Sequence, residues 1–309
     1  MDKEVAHTMS LLPDFDFAQP VEVRARMTRF IQVLAAAGLR TIEDPYLDVR
    51  DTTIPSGAPI RIYTPRHGRK PFAAIVYFHG GAFVLGDLEF EHPRCLEMAR
   101  HTEAVVVSVD YRLAPEYPFP LPFEDCWSAF QWVCRSRDLE IDPKRVAVAG
   151  ASAGGALAAA VCLMARDHGV PQPCFQLLIY PVIDDRMNTR SMAEFLTTPG
   201  WNRIRSEHMW SHYLGRDRSL VTPYAAPARA ADVRGLPPAY IMTAEFDALR
   251  DEGIQYAHRL IEAGVSTELH HYPGTFHGFD TLSRGEVSRR ACAEHYAVLR
   301  KALQTPPAN

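Results

Sequence analysis

The stretch Val146-Ala147-Val148-Ala149-Gly150-Ala151-Ser152-Ala153-Gly154-Gly155 constrains the fold of this chain more than any other. An apolar run suited to a buried strand meets a serine, and the Ala-rich run from Ala153 to Ala165 then reads as helix. The serine therefore falls at a sharp strand-to-helix turn. Gly150 and Gly154 stand two residues either side of Ser152, where a side chain would collide with the opposing backbone. Such a turn lifts the Ser152 hydroxyl above a sheet edge and aims the N-terminus of the next helix at whatever the hydroxyl attacks.

The rest of the chain supplies the sheet. Tyr46 to Tyr63 reads as two strands around the turn Pro55-Ser56-Gly57, and Ala73 to Phe78 is a continuous apolar run of the kind buried on both faces. Helix near Glu91 to His101, strand Ala104 to Val109, helix Phe123 to Arg135, the elbow and strand Phe175 to Tyr180 continue the alternation. Strand Tyr240 to Ala244, a helix to about Ala263, strand Glu268 to Tyr272 and a closing helix Arg284 to Leu303 complete it. Strands alternating with helices predict a mostly parallel, doubly wound α/β sheet. Two segments stand outside the pattern. Residues 1 to about 42 read as helix, with Pro20 tolerated in a first turn, and residues 184–237 carry no clear buried strand. The second segment is rich in large side chains, among them Trp201, Met209, Trp210 and Tyr213, and its position predicts a lid over the sheet's C-terminal edge.

At 309 residues, 47% hydrophobic and 23% charged, the chain has the composition of a globular protein with one large core. A formal net charge of −4 offers no general attraction to nucleic acid, and the basic cluster Arg66, Arg69 and Lys70 reads as a solvated loop. The N-terminus lacks the charged and apolar regions of a signal peptide, and the longest small-apolar run, Ala153 to Ala165, is too short to span a bilayer. The expectation is a cytoplasmic protein with no membrane association. Six separated cysteines show neither Cys-x-x-Cys nor zinc-site spacing and read as buried, reduced thiols.

A serine hydroxyl is a poor nucleophile until a base takes its proton, and the base needs a carboxylate to fix its tautomer. In this type of sheet the order along the chain is serine, acid, histidine. Among thirteen histidines, His258 and His295 fall in helices and His270 and His271 in the last strand, whereas His277 follows a strand and precedes Gly278. His277 is the candidate base. The strand ending at Ala244 delivers Asp247 to the same edge; it is the favoured acid, with Glu245 and Asp251 as alternatives, while Asp251 and Glu252 suit the dipole of the following helix. Oxyanion donors are expected from the backbone of Ala153 and of the loop after Phe78, at Gly80, Gly81 and Ala82. His79, at a strand end before two glycines, suits a loop-fixing role.

With those residues in place, the chain resembles the hormone-sensitive lipase family of α/β-hydrolases. The resemblance runs from about residue 73 to 280 through His79-Gly80-Gly81-Ala82, Asp110-Tyr111-Arg112-Leu113-Ala114-Pro115-Glu116, Gly150-Ala151-Ser152-Ala153-Gly154-Gly155, Asp247 with Leu249-Arg250-Asp251-Glu252, and His277-Gly278-Phe279. It implies the α/β-hydrolase fold with a helical cap made of residues 1–45 and 184–237 over a catalytic domain of 46–183 and 238–309. It also implies hydrolysis of small carboxylic esters through an acyl-enzyme, no cofactor, no metal, and in many members a homodimer. Three positions depart from the family pattern: Ala82 where a third glycine is usual, Ala151 where Asp or Thr is usual, and Ala248 where proline often follows the acid. Two other readings share the fold: a peptidase or amide hydrolase with the same triad, and a ligand-binding receptor, a class in which the histidine is lost.

Overall fold

Seven consecutive apolar residues can be buried together only where both faces of a strand are covered, and Phe72–Phe78 is buried along its whole length. The structure, a computed structural model, describes residues 2–10, 15–38, 43–215, 218–283 and 285–304. In chain order its elements are α1 (Lys3–Ser10), α2 (Pro20–Ala36), β1 (Leu47–Thr53), β2 (Pro59–Pro65), β3 (Phe72–Phe78), α3 (His92–Thr102), β4 (Val105–Val109), α4 (Leu121–Arg135), β5 (Ile141–Ala151) and α5 (Ala153–Asp167). There follow β6 (Gln176–Ile179), α6 (Arg190–Glu194), α7 (Arg203–Leu214), β7 (Ala239–Phe246), α8 (Arg250–Glu262), β8 (Thr267–Phe276), α9 (Phe279–Leu282) and α10 (Glu286–Gln304).

The strands form one eight-stranded sheet in the order β1-β2-β4-β3-β5-β6-β7-β8. β2 pairs antiparallel with both β1 and β4, and every ladder from β4 across to β8 is parallel. Alternate side chains of β3 enter opposite layers, Ala74, Val76 and Phe78 with α4 and α5, and Ala73, Ile75 and Tyr77 with α3 and α10. The chain runs from β3 outward to β4 and then returns to β5 on the other side of β3, so the strand order reverses between β3 and β5. A crevice opens outside the C-terminal ends of strands at such a reversal. Phe78 pairs with Gly150 there, which sets the loop after β3 beside the elbow after β5.

Several elements differ from expectation, each for a local reason. The N-terminal helix is two helices: Asp16 accepts the Ala18 and Gln19 amides in a turn, through its Oδ1 and its backbone carbonyl, and α2 restarts at Pro20. Residues 11–14 and 39–42, part of the expected helix, lie outside the described residues. β8 continues beyond Tyr272, the expected end of the last strand, as far as Phe276. It is the sheet edge, where Pro273 needs no ladder partner and a register shift lets Phe276 pair with Phe246. The closing helix runs unbroken as α10, close to its expected bounds, and is preceded by the short helix α9, with Arg284 between them outside the described residues. All six cysteines are free, but Cys134, Cys174 and Cys292 are only half-buried, and burial still pushes these three thiols up to about 12. Among the described residues no helix is long and apolar enough to cross a membrane.

Candidate active site

The elbow is forced by close backbone approach. A Cβ on Gly150 would stand 2.2 Å from the Gly154 carbonyl oxygen, and one on Gly154 would stand 1.9 Å from that of Phe78. Between them Ser152 adopts φ 57° and ψ −117°, a strained conformation for a non-glycine residue that costs on the order of 1–3 kcal/mol. Its amide donates to Ile179 O at 2.8 Å, and its carbonyl accepts from Val182 N at 3.1 Å, so the ends of β5 and β6 hold the strain.

The structure brings Ser152, His277 and Asp247 into one hydrogen-bonded line. Ser152 Oγ donates to His277 Nε2 at 3.0 Å, and His277 Nδ1 donates to Asp247 Oδ2 at 2.7 Å. Asp247 is fully buried, and its second oxygen accepts the Leu249 amide at 3.0 Å, which fixes the carboxylate plane. The other acids that the sequence left open are engaged elsewhere. Glu245 accepts the Gly274 amide at 2.6 Å, and Asp251 accepts the Ser191 amide at 2.7 Å and pairs with Arg250. Glu252, expected to complement the helix dipole, is instead buried and accepts the amides of Ile183 and Asp184, at the point where the chain leaves β6. Burial pushes its carboxyl well above the ordinary carboxylate range.

Beneath the histidine lies a charged cluster that the sequence did not reveal. Tyr180 packs its ring 4.5 Å from that of His277 and donates to Asp280 Oδ1 at 2.8 Å, while Arg94 reaches Asp280 Oδ2 at 2.9 Å and Glu91 at 2.8 Å. Burial opposes ionisation of Asp280, but the Arg94 guanidinium outweighs it and holds the carboxyl below its usual range. Asp280 is three residues past His277, so this cluster anchors the short loop that carries the imidazole.

The loop after β3 closes the other side. Gly81 has φ 120°, and Ala82 and Phe83 both have φ 59°. Among the described residues, the amides of Gly80, Gly81, Ala82 and Ala153 donate to no protein acceptor. Ala82 thus reaches, at a cost of roughly 1–2 kcal/mol, the left-handed conformation that glycine adopts freely. His79 is fully buried, stacks on Tyr111 at 4.0 Å and donates from Nδ1 to Gly80 O at 2.7 Å; burial lowers its basicity and keeps it neutral. It sits within the loop as a brace and, among the described residues, hydrogen-bonds to none of Ser152, His277 and Asp247.

The four aromatic and Met positions of the 184–237 segment divide. Trp201 lies 5.7 Å from the His277 ring, with its indole N–H donated to Ser206 Oγ at 2.9 Å and Phe17 edge-on at 5.2 Å. Met209, Trp210 and Tyr213 are fully buried, and the latter two pack on Phe83.

A fold with its strand reversal at β3/β5, a strained serine at the crevice and a histidine–carboxylate pair behind it defines an α/β-hydrolase. A family model described as alpha/beta hydrolase fold matches residues 75–281. The chain is 39% identical over 251 residues to carboxylesterase NlhH of Mycobacterium tuberculosis, covering 79% of this chain and 78% of that protein. It is 35% identical over 295 residues to an arylesterase of Saccharolobus solfataricus, covering 93% and 92%. The solved structure of a bacterial heroin esterase superposes with a TM-score of 0.94 at 41% identity, covering 99% of this chain and 98% of that one. The chain belongs to the hormone-sensitive lipase family of α/β-hydrolases.

Proposed function

We propose that the protein is a serine carboxylesterase acting on small esters through an acyl-enzyme. The observation that carries this reading is the pair of contacts at 3.0 Å and 2.7 Å that link Ser152 to His277 and His277 to Asp247. Ser152 Oγ attacks the ester carbonyl while its proton passes to His277 Nε2, and Asp247 stabilises the imidazolium. The oxyanion that forms is held by backbone amides of Ala153 and of Gly80, Gly81 and Ala82, groups that have no other partner among the described residues. Collapse expels the alcohol, which takes the proton from His277. A water then repeats the sequence on the acyl-serine and releases the acid. The N-terminal helices and residues 184–237 together form the cap, a reading supported by the contact of Phe17 with Trp201 and of His212 with Phe17 O at 3.0 Å.

Trp201 stands against the catalytic imidazole and bounds the space available to an acyl chain, so the preferred esters carry short acyl groups, about two to eight carbons by analogy with related esterases. A panel of nitrophenyl esters of rising chain length, run beside an aminoacyl amide, tests both substrate class and length. Hydrolysis of the four-carbon ester is expected to outpace that of the sixteen-carbon ester. The reverse order would remove the short pocket, and faster cleavage of the amide would remove the esterase assignment.

The role of the Ala82 amide is open to a direct test. Proline is unsuitable there, because it fixes φ near −65° and the loop requires 59°. Replacing Ala82 by lactic acid, its α-hydroxy analogue, exchanges the N–H for oxygen and keeps the side chain, while weakening Gly81 O as the acceptor of Val84 N and Leu85 N. One lost donor is expected to lower kcat by about 10²–10³ with KM little changed. A rate within about threefold of the parent would assign the oxyanion to Gly80, Gly81 and Ala153 alone.

A further inference from the structure

The loop that carries Ala82 is held in an unfavourable shape by parts of the chain far from it in sequence. Gly81, Ala82 and Phe83 take three successive positive φ values, and the last two residues are not glycine. Internal bonds from Val84 N and Leu85 N to Gly81 O close the turn at 3.0 and 2.9 Å, but they constrain neither the Phe83 side chain nor the exit of the loop. Those are fixed from outside. The Phe83 ring lies flat on Tyr213 of α7, with centroids 3.8 Å apart and planes 5° apart, and Trp210 flanks it at 6.0 Å. Phe83 O accepts the Ala114 amide at 2.9 Å.

Arg24 of α2 then spans the same junction. Its Nε donates to Val84 O and its Nη2 to Ala114 O, so one guanidinium ties together the two chain segments that the Phe83–Ala114 bond joins. The guanidinium also makes a two-point pair with Glu116, at 2.8 and 2.7 Å. A planar guanidinium with fixed donor directions suits this fork in a way that an ammonium does not. Glu116 is the last residue of the Asp110–Glu116 motif, and Arg24 is the partner that gives it a purpose. Tyr213 is tied in turn to the same proline-rich loop, where its carbonyl accepts Phe119 N at 2.9 Å.

We propose that Arg24 and Tyr213 are positioning residues for the oxyanion loop: α2 and α7 hold residues 81–84 in the left-handed conformation that presents the amides to Ser152, so the loop is competent only while both helices are docked. The inference rests on reading those amides as oxyanion donors. Non-glycine residues at positive φ persist only where the surroundings over-determine them, and here the surroundings are two helices that otherwise serve substrate access. Loss of either clamp lets Ala82 and Phe83 relax to ordinary backbone and turns the amides away. Stabilisation of the tetrahedral intermediate then falls, while binding of the planar ester does not.

Arg24→Ala and Tyr213→Leu test this. Each is expected to lower kcat about tenfold with KM within twofold, and to weaken a trifluoromethyl ketone, which forms a tetrahedral adduct on Ser152, by the same factor as kcat/KM. The corresponding methyl ketone, a ground-state analogue, keeps its affinity. Added guanidinium ion is expected to restore much of the rate of Arg24→Ala, an effect that general destabilisation would not show. Arg24 is a quarter exposed, so its truncation opens no sealed cavity and the test survives even if Tyr213→Leu fails to fold. A kcat within twofold of wild type in folded Arg24→Ala overturns the proposal, as does a lowered kcat with unchanged affinity for the trifluoromethyl ketone or a change confined to KM. If lactic acid at position 82 leaves turnover intact, Ala82 is no donor, the oxyanion passes to Gly80, Gly81 and Ala153, and the clamp loses the group it is proposed to hold. If that replacement slows turnover but Arg24→Ala and Tyr213→Leu do not, the reading stands and only the clamp is lost.

Discussion

Ser152→Ala is expected to lower kcat by about 10⁶, the loss that removal of a serine nucleophile produces when the histidine can no longer act through it. The fold is expected to survive. The deleted oxygen makes one hydrogen bond, to His277, and Ser152 is 6% exposed at the crevice, so a water can take its place. The strain at φ 57° is common to serine and alanine and is already held by the ladder contacts of the elbow amide and carbonyl. The change in stability is therefore expected within about 1 kcal/mol. Residual catalysis roughly 10³ to 10⁴ above the water reaction remains from the amides and from binding. An activity this low is easily counterfeited by traces of wild-type enzyme, so the variant is first treated with a fluorophosphonate, which labels wild type and spares an alanine. Turnover of treated, folded Ser152→Ala within tenfold of wild type would place the nucleophile elsewhere in the chain.

What is readable from sequence alone is local or periodic. The elbow is such a case through Gly150, whose Cβ would meet the Gly154 carbonyl four residues on; the collision that demands Gly154 is with Phe78, remote in the chain, and this glycine is legible because it belongs to the same short pattern. His277 is reachable because a loop histidine after the last strand is a positional statement, even though that strand ends at Phe276 and not at Tyr272. Fold class follows from apolar runs such as β3 and β4, whose burial on both faces leaves no polar residue in the pattern except Ser108. The interactions that escape join residues remote in the chain. Arg24 and Glu116 are 92 positions apart, and nothing in either neighbourhood names the other. Glu252 sits in a first helical turn, where a carboxylate is ordinarily explained by the dipole, and its burial beneath residues 183–184 depends on how the chain departs from β6. Arg94 and Asp280 carry charges that sequence alone would leave in solvent, and they prove to be a buried pair. Ala82 is a different kind of case: its identity is visible, but whether a residue with a Cβ can enter the left-handed region depends on Phe83, Tyr213 and Ala114 closing around it.

Asp247→Asn separates the acid's electrostatic role from its place in the fold. In the wild-type arrangement Asp247 Oδ2 can only accept, so His277 carries its proton on Nδ1, 2.7 Å away, and presents a bare Nε2 to the Ser152 hydroxyl at 3.0 Å. Asparagine can keep its amide oxygen toward the Leu249 amide, which Oδ1 accepts at 3.0 Å, and the buried turn before α8 is preserved. The side-chain amino group then faces Nδ1 and makes it the acceptor. The proton moves to Nε2, where it opposes the serine hydroxyl, and the imidazole can no longer take the proton released on attack. The expected loss is about 10⁴ in kcat, smaller than that of Ser152→Ala because the nucleophile and the amides remain. KM is expected to move little, since no group that touches the bound ester has changed. A loss of less than tenfold in folded Asp247→Asn would transfer the role to another carboxylate. Glu245 and Asp251 could assume it only by giving up the Gly274 and Ser191 amides, so such a result would show as well that β7 and α6 rearrange.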